Sequence, residues 1–227
     1  MMNWKQFLEI AWPEDLAIEE YHRDIIFLFR SHRWIGLRLA YLFYLLRISA
    51  NFVSLNRMFM SLVSFYFLSL AIQGNIWLPF MGVLLLYGQN ILDYSDGSVA
   101  RASGKVTLLG EALDEVVNTF SRGCILVLVG AFTESVFVVT ISAFSSFILI
   151  HFRKYVGTKI LDGTIFEAIG LFYRIIFSMQ VMLFILPLLI VLSNILNWQI
   201  VIFSYIVVGF YAGLAIQWLL LCLWKMG

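Results

Sequence analysis

The chain has 227 residues, 62% of them hydrophobic and 13% charged, with a formal net charge of +1 and a mean hydropathy of +0.91. Soluble domains carry about 25% charged residues, so this composition excludes an ordinary soluble enzyme, and the near-neutral charge argues against nucleic acid as a partner. Cys124 and Cys222 lie in separate apolar stretches, with no spacing that indicates a disulfide framework or a zinc site.

In chain order, residues 1–50 are expected to form an N-terminal cytoplasmic or interfacial helical segment. The stretch from Trp34 to Leu46 is too short to span and carries Arg38, with Arg47 just beyond it. A basic, aromatic-rich helix of this kind belongs in the headgroup region, where it anchors and orients the chain. No secretory signal is expected at the start, because an apolar core of the needed length is missing there.

Residues 51–227 are expected to form an all-α transmembrane domain of six helices. About 20 helical residues cross ~30 Å of hydrocarbon, and six stretches meet or approach that length: Phe52–Ile72, Ile76–Leu92, Glu111–Phe132, Ser135–Phe152, Ile165–Leu192 and Gln199–Trp224. Polar or turn residues interrupt them at Gln73–Asn75, Asp93–Gly110, Thr133–Glu134, Arg153–Thr164 and Ser193–Asn197. Lys and Arg fall in the N-terminal segment, the Asp93–Gly110 connection, the Arg153–Thr164 connection and the C-terminal end, while the three opposite connections contain none. The positive-inside rule then puts both termini in the cytoplasm.

Six apolar helices fit a transporter, a channel or an enzyme equally well. The segment from Leu92 to Asn118 separates them. Acidic groups are costly at membrane depth and mark function. Asp93 and Asp96 share a helix face at i,i+3, and Asp114 and Asn118 share one at i,i+4. Two antiparallel helices joined at their cytoplasmic ends bring these groups into one volume. Carboxylates packed together repel unless they take up protons or hold a cation. An all-oxygen set suits a hard divalent ion such as Mg²⁺ or Mn²⁺, which shares its coordination with substrate phosphates. Arg101 and Lys105 stand close in sequence to neutralise further phosphate charge. A transporter would place polar groups near mid-membrane in repeat-related helices, whereas here they gather at one face.

The spacing Asp93-x2-Asp96-Gly97-x2-Ala100-Arg101-x8-Gly110-x3-Asp114-x3-Asn118 resembles the signature of the CDP-alcohol phosphotransferase (CDP-alcohol phosphatidyltransferase) family. Seven of its eight fixed positions match. Asn51, Ser54 and Arg57 resemble a second, weaker family pattern at the entry to the first helix, with Ala50 in place of proline. The resemblance implies a homodimeric membrane enzyme that replaces CMP on a CDP-alcohol with a second alcohol, in phospholipid or related phosphodiester-lipid synthesis. One of the two alcohols is a membrane lipid, as donor or as acceptor. Carried over position by position, Asp93, Asp96 and Asp114, with the Asn118 position, would bind Mg²⁺ or Mn²⁺; the family uses two ions. Gly97, Ala100, Arg101, Thr107, Gly110, Asn51 and Arg57 would contact the CDP part. The implied setting is a multi-pass protein, with its site on the cytoplasmic face of a bacterial inner (plasma) membrane.

Asn118 departs from the signature, which has the family's general base there. An amide offers a carbonyl oxygen to a metal but takes no proton at neutral pH. Either Glu111 or Glu115 replaces it, at i−7 and i−3, or the chain, natural or altered on purpose, is a catalytically impaired member. Arg122, at i+4 from Asn118, Arg153 and Lys154 below the fourth span, and Arg174 inside the fifth are candidates for the phosphate or carboxylate of the acceptor.

Overall fold

The computed structural model describes residues 2–13, 27–75, 77–156, 185–195 and 199–226, and among these it is helical with no strand. The helices are α1 (Trp4–Ala11), α2 (Phe27–Leu45), α3 (Ala50–Ser69, continued by a 3₁₀ turn Leu70–Gln73), α4 (Trp77–Ala102), α5 (Leu108–Ala131), α6 (Val136–Val156), α7 (Leu186–Ile195) and α8 (Ile200–Met226). The chain divides into two compact units: Met1–Val63 with Leu84–Asn118, and Ser64–Val83 with Thr119–Gly227.

Local chemistry sets the boundaries. Ser49 Oγ accepts from Phe52 N at 3.3 Å, and Thr107 Oγ1 from Gly110 N at 3.1 Å, each satisfying a donor in the first turn of its helix. The C-terminal ends of α2, the 3₁₀ turn and α4 close with the same pair of reversed hydrogen bonds around a left-handed residue. Those residues are Arg47 (φ 57), Gly74 (φ 75) and Gly104 (φ 62). Arg47 is the unusual member, because a side chain in this region costs roughly 1–2 kcal/mol.

In the first unit, α1 begins with a reciprocal cap between Asn3 and Gln6. It buries Phe7 and Ala11 against Ala40, Val99 and Ala102. Trp4 and Tyr41 pack on the Phe7 ring at 5.9 and 5.2 Å. Helix α2 lies directly against α4: a Cβ on Gly36 would stand 2.7 Å from the Ile91 carbonyl oxygen. Ser95 Oγ donates to the Gly36 carbonyl at 2.9 Å. In the second unit, Gly82 admits the backbone of α3, and Ser64 Oγ donates to its carbonyl at 2.7 Å. Gly130 admits Ser142 of α6 in the same way, and α6 also packs along α8.

Burial along α3 is inverted relative to a soluble helix. Ser54, Arg57, Ser61 and Ser64 are buried, while Phe52, Leu55, Phe59, Leu62 and Tyr66 are exposed. A polar interior under an apolar exterior is the pattern of a helix whose solvent is hydrocarbon. Ala50–Gln73 and Ile200–Gln217 are, among the described residues, the helical stretches long and apolar enough to cross a bilayer.

Several expected boundaries shift. The expected connection Asp93–Gly110 shrinks to residues 103–107, because α4 continues through the signature to Ala102. Ser95 and Ser98 turn their hydroxyls back onto the Ile91 and Tyr94 carbonyls inside the helix, so this run of small and polar residues breaks nothing. Helix α2 is longer than the expected Trp34–Leu46. Of the expected span Ile165–Leu192, most lies outside the described residues.

Candidate functional site

Side chains of the signature converge on one residue of α3. Arg57 is fully buried, and its guanidinium collects an oxygen from each of four side chains. Nη1 donates to Asp96 Oδ2 at 2.5 Å and to Asp114 Oδ1 at 2.7 Å. Nη2 donates to Asn118 Oδ1 at 2.7 Å and to Asp93 Oδ1. Helix periodicity explains the meeting: Asp93 and Asp96 share a face of α4, Asp114 and Asn118 share one of α5, and Arg57 projects from α3 between them.

The ring is cross-braced. Asp96 also accepts from Ser54 Oγ at 2.8 Å and from the Gly97 backbone N–H at 2.7 Å. Asn118 Nδ2 donates to Asp114 Oδ1 at 3.1 Å. Asn118 is therefore an acceptor toward Arg57 and a donor toward Asp114. Side-chain exposure rises from none at Arg57 through 7% at Asp96 and 23% at Asp93 to 44% at Asp114. The cluster is closed behind the guanidinium and open on the Asp114 side.

The convergence expected for Asp93, Asp96 and Asp114 is present, but on a guanidinium. Among the described residues no three acidic, imidazole or thiol groups are arranged to hold a metal ion as they stand. The donor chemistry still fits a hard divalent ion: three carboxylates and an amide oxygen, with no sulfur or nitrogen ligand. With all three carboxylates ionised and Arg57 charged, three negatives and one positive leave a formal −2.

The candidates for contact with the CDP part fall in three places. Gly97 leaves room for Arg101, whose Nη1 would lie 3.3 Å from an added Cβ. Arg101 donates from Nε to the Ala11 carbonyl at 2.9 Å, which ties the signature to the end of α1. The Ala100 carbonyl accepts from Lys105 N at 2.9 Å and helps to close α4. At Gly110 an added Cβ would meet both Asn51 Oδ1 and Thr107 Oγ1 at 3.3 Å, so these three residues cluster where α3 and α5 begin. Asn51 and Thr107 also line a cavity of about 840 Å³, together with Tyr44, Arg47, Val99 and Lys105.

Glu111 and Glu115 are exposed on α5, and neither is among the groups that Arg57 binds. Arg122 is half-buried one turn beyond Asn118 on α5. The backbone of Arg153 and Lys154 belongs to α6, while their side chains and all of Arg174 lie outside the described residues. Two features were not assigned from the sequence. Ser54 reaches Asp96, a contact signalled by its i,i+3 spacing from Arg57. Helix α1 meets Arg101, signalled by the Asn3/Gln6 cap and by Phe7 and Ala11 four residues apart.

The model of the CDP-alcohol phosphatidyltransferase family matches residues 47–212. Searches of curated proteins and of solved structures gave no match.

Proposed function

The chain belongs to the CDP-alcohol phosphatidyltransferase family, whose members transfer a phosphate-linked alcohol from a CDP-alcohol to an acceptor alcohol in lipid synthesis, and from that premise we propose that it does so at the Arg57-centred cluster, with release of CMP. The observation that carries this reading is the gathering of Asp93, Asp96, Asp114 and Asn118 around one buried cation.

Each residue then has a physical task. Asp93, Asp96 and Asp114 would hold Mg²⁺ or Mn²⁺, with Asn118 offering its amide oxygen. When bound, the ion supplies charge stabilisation on the diphosphate. Arg57 keeps the carboxylates gathered. The cavity wall of Asn51, Thr107, Arg47 and Lys105 offers cations, a hydroxyl and an amide to a nucleotide diphosphate. Gly97 and Gly110 make room for Arg101 and for Asn51 and Thr107, side chains that would face the CDP part. Arg122, Arg153, Lys154 and Arg174 are assigned to the acceptor. Six spans, a cytoplasmic site, a homodimer and a bacterial inner membrane complete the reading.

A second reading, a catalytically impaired member, is favoured by one observation. Both functional ends of the Asn118 amide are engaged, with Arg57 and with Asp114, so it braces the cluster and takes no proton. The deciding experiment is CMP release by the full chain in lipid nanodiscs with Mg²⁺ or Mn²⁺, across CDP-lipids with polar alcohols and CDP-polar donors with lipid acceptors. Turnover on one pair, lost on chelation and in Asp96→Asn, supports the transferase. CDP-alcohol binding without turnover on any pair supports the impaired reading. Failure to bind any CDP-alcohol removes both.

A further inference from the structure

Arg101 is held against the end of a helix far from it in sequence. Its Nε donates to the Ala11 carbonyl at 2.9 Å, and its Nη2 donates to Ser98 Oγ at 3.4 Å. Nη1 lies over Gly97, where an added Cβ would stand 3.3 Å from it. A guanidinium is planar and rigid, so these points set both its place and its plane. The Gly97 N–H is the one that Asp96 accepts, so the arginine lies along the same turn of α4 that presents a carboxylate of the cluster.

The acceptor at Ala11 is a main-chain carbonyl, so it stands wherever α1 stands. Helix α1 has eight residues, too few to persist alone in water. Docking holds it. Phe7 and Ala11 are fully buried with Ala40 of α2 and Val99 and Ala102 of α4. At one end of the helix, Tyr41 Oη donates to the Met2 carbonyl at 3.2 Å. Just past the other end, the Arg33 guanidinium lies 4.5 Å from the centroid of the Trp12 ring and 5.4 Å from that of Tyr94. The last carbonyls of a helix lack intrahelical donors and carry partial negative charge, so a cation at Ala11 stabilises α1 as well. Seating of α1 and orientation of Arg101 are thus one event.

We propose that α1 is a positioning element of the CDP site: its seat on Phe7 and Ala11 fixes the Arg101 guanidinium in the orientation that meets the CDP part of the donor. This rests on the transferase reading above and deepens it. Phe7 and Ala11 act through Arg101 and are positioning residues.

The test is binding of CDP, the part every donor shares, to the full chain in lipid nanodiscs with Mg²⁺, by isothermal titration calorimetry across a double-mutant cycle. Phe7→Ala should weaken CDP binding by about tenfold, the scale of one lost hydrogen bond to a charged group. Arg101→Gln should weaken it at least as much, and adding Phe7→Ala to Arg101→Gln should change nothing further. Phe7→Leu, which keeps an apolar anchor, should bind CDP nearly as the unaltered chain does. Hydrogen exchange at residues 4–11 reports whether α1 has left its seat. Should Phe7→Ala leave it seated, Ala11→Phe, which overfills the contact with Val99 and Ala102, takes its place. An unseated α1 with unchanged CDP affinity would overturn the proposal. So would additive losses in the cycle, which would mean that α1 acts on the site by another route. Unchanged affinity in Arg101→Gln would overturn it whatever α1 does. Failure of the unaltered chain to bind CDP would instead remove the transferase reading, and the proposal with it.

Discussion

A guanidinium held by three carboxylates inside a membrane helix is a high-stakes arrangement, because its stability depends on complete pairing. Replacing a buried ion pair by apolar groups can be neutral, but removing one partner typically costs about 3–5 kcal/mol. Arg57→Ala should therefore lower stability by that order, read as thermal unfolding in nanodiscs. Ser54→Ala, which removes one hydrogen bond to Asp96, should cost about 1 kcal/mol. Equal effects of the two would show that the ring is not organised around Arg57. The neighbouring prediction concerns Asn118. A placed base contributes ~10²–10⁴-fold to proton removal from an attacking hydroxyl. Asn118→Asp should raise CMP release by about that range with CDP-alcohol affinity nearly unchanged, since Arg57 already stands 2.7 Å away to accept the new carboxylate. An unchanged rate would move the base role to Glu111 or Glu115, although both lie outside the ring.

At the scale of elements, α1 couples the N-terminal segment to the signature. Phe7 is fully buried among Trp4, Tyr41 and Tyr44, and Arg101 grips the Ala11 carbonyl. Phe7→Ala removes the ring that seats this eight-residue helix, so hydrogen exchange at residues 4–11 should accelerate while exchange in α5 stays as it was. A second element-scale prediction concerns His32, buried edge-on against Tyr87 at 4.0 Å between ring centroids. Burial pulls its pKa down from the ordinary 6.5 to about 4. The unfolded chain therefore binds a proton between those values that the folded chain does not, and stability falls as pH drops from 6.5 toward 4. His32→Gln should flatten that part of the pH–stability curve, and an unflattened curve would clear His32 of the role.

What the sequence made legible follows the strength of its periodic signals. The carboxylates at i,i+3 on α4, with Asp114 and Asn118 at i,i+4 on α5, give the shared volume without any structure. The break at Gly74 was visible because glycine suits the left-handed backbone there. The end of α4 was misplaced, because Ser95, Gly97 and Ser98 carry turn-like propensity that packing against Gly36 overrides. The cation at the centre was also missed. Carboxylate spacing implies that a positive charge is needed, but not whether a metal or a side chain 36 residues before Asp93 provides it.

At the scale of the whole molecule, charge asymmetry gives a testable expectation for which ends face which side. Ala50–Gln73 has 24 residues, about 36 Å at 1.5 Å per residue, enough for ~30 Å of hydrocarbon. It carries Arg57 on its buried side and ends at Gly74, in a connection without Lys or Arg. The following turn, at residues 103–107, holds Lys105 and begins two residues after Arg101. The positive-inside rule therefore predicts the signature turn in the cytoplasm and the Gly74 turn on the opposite side. Ser103 and Asn75 are both exposed, so single cysteines at these positions, in a chain with Cys124 and Cys222 replaced by alanine, should react with a membrane-impermeant thiol reagent from opposite sides. In inside-out vesicles Ser103→Cys should label and Asn75→Cys should not, and in right-side-out vesicles the pattern should reverse. Labelling of both from one side would mean that α4 does not cross between them. Labelling of Ser103→Cys only from outside would invert the topology and carry the acidic cluster away from the compartment where a water-soluble nucleotide such as CMP is recycled.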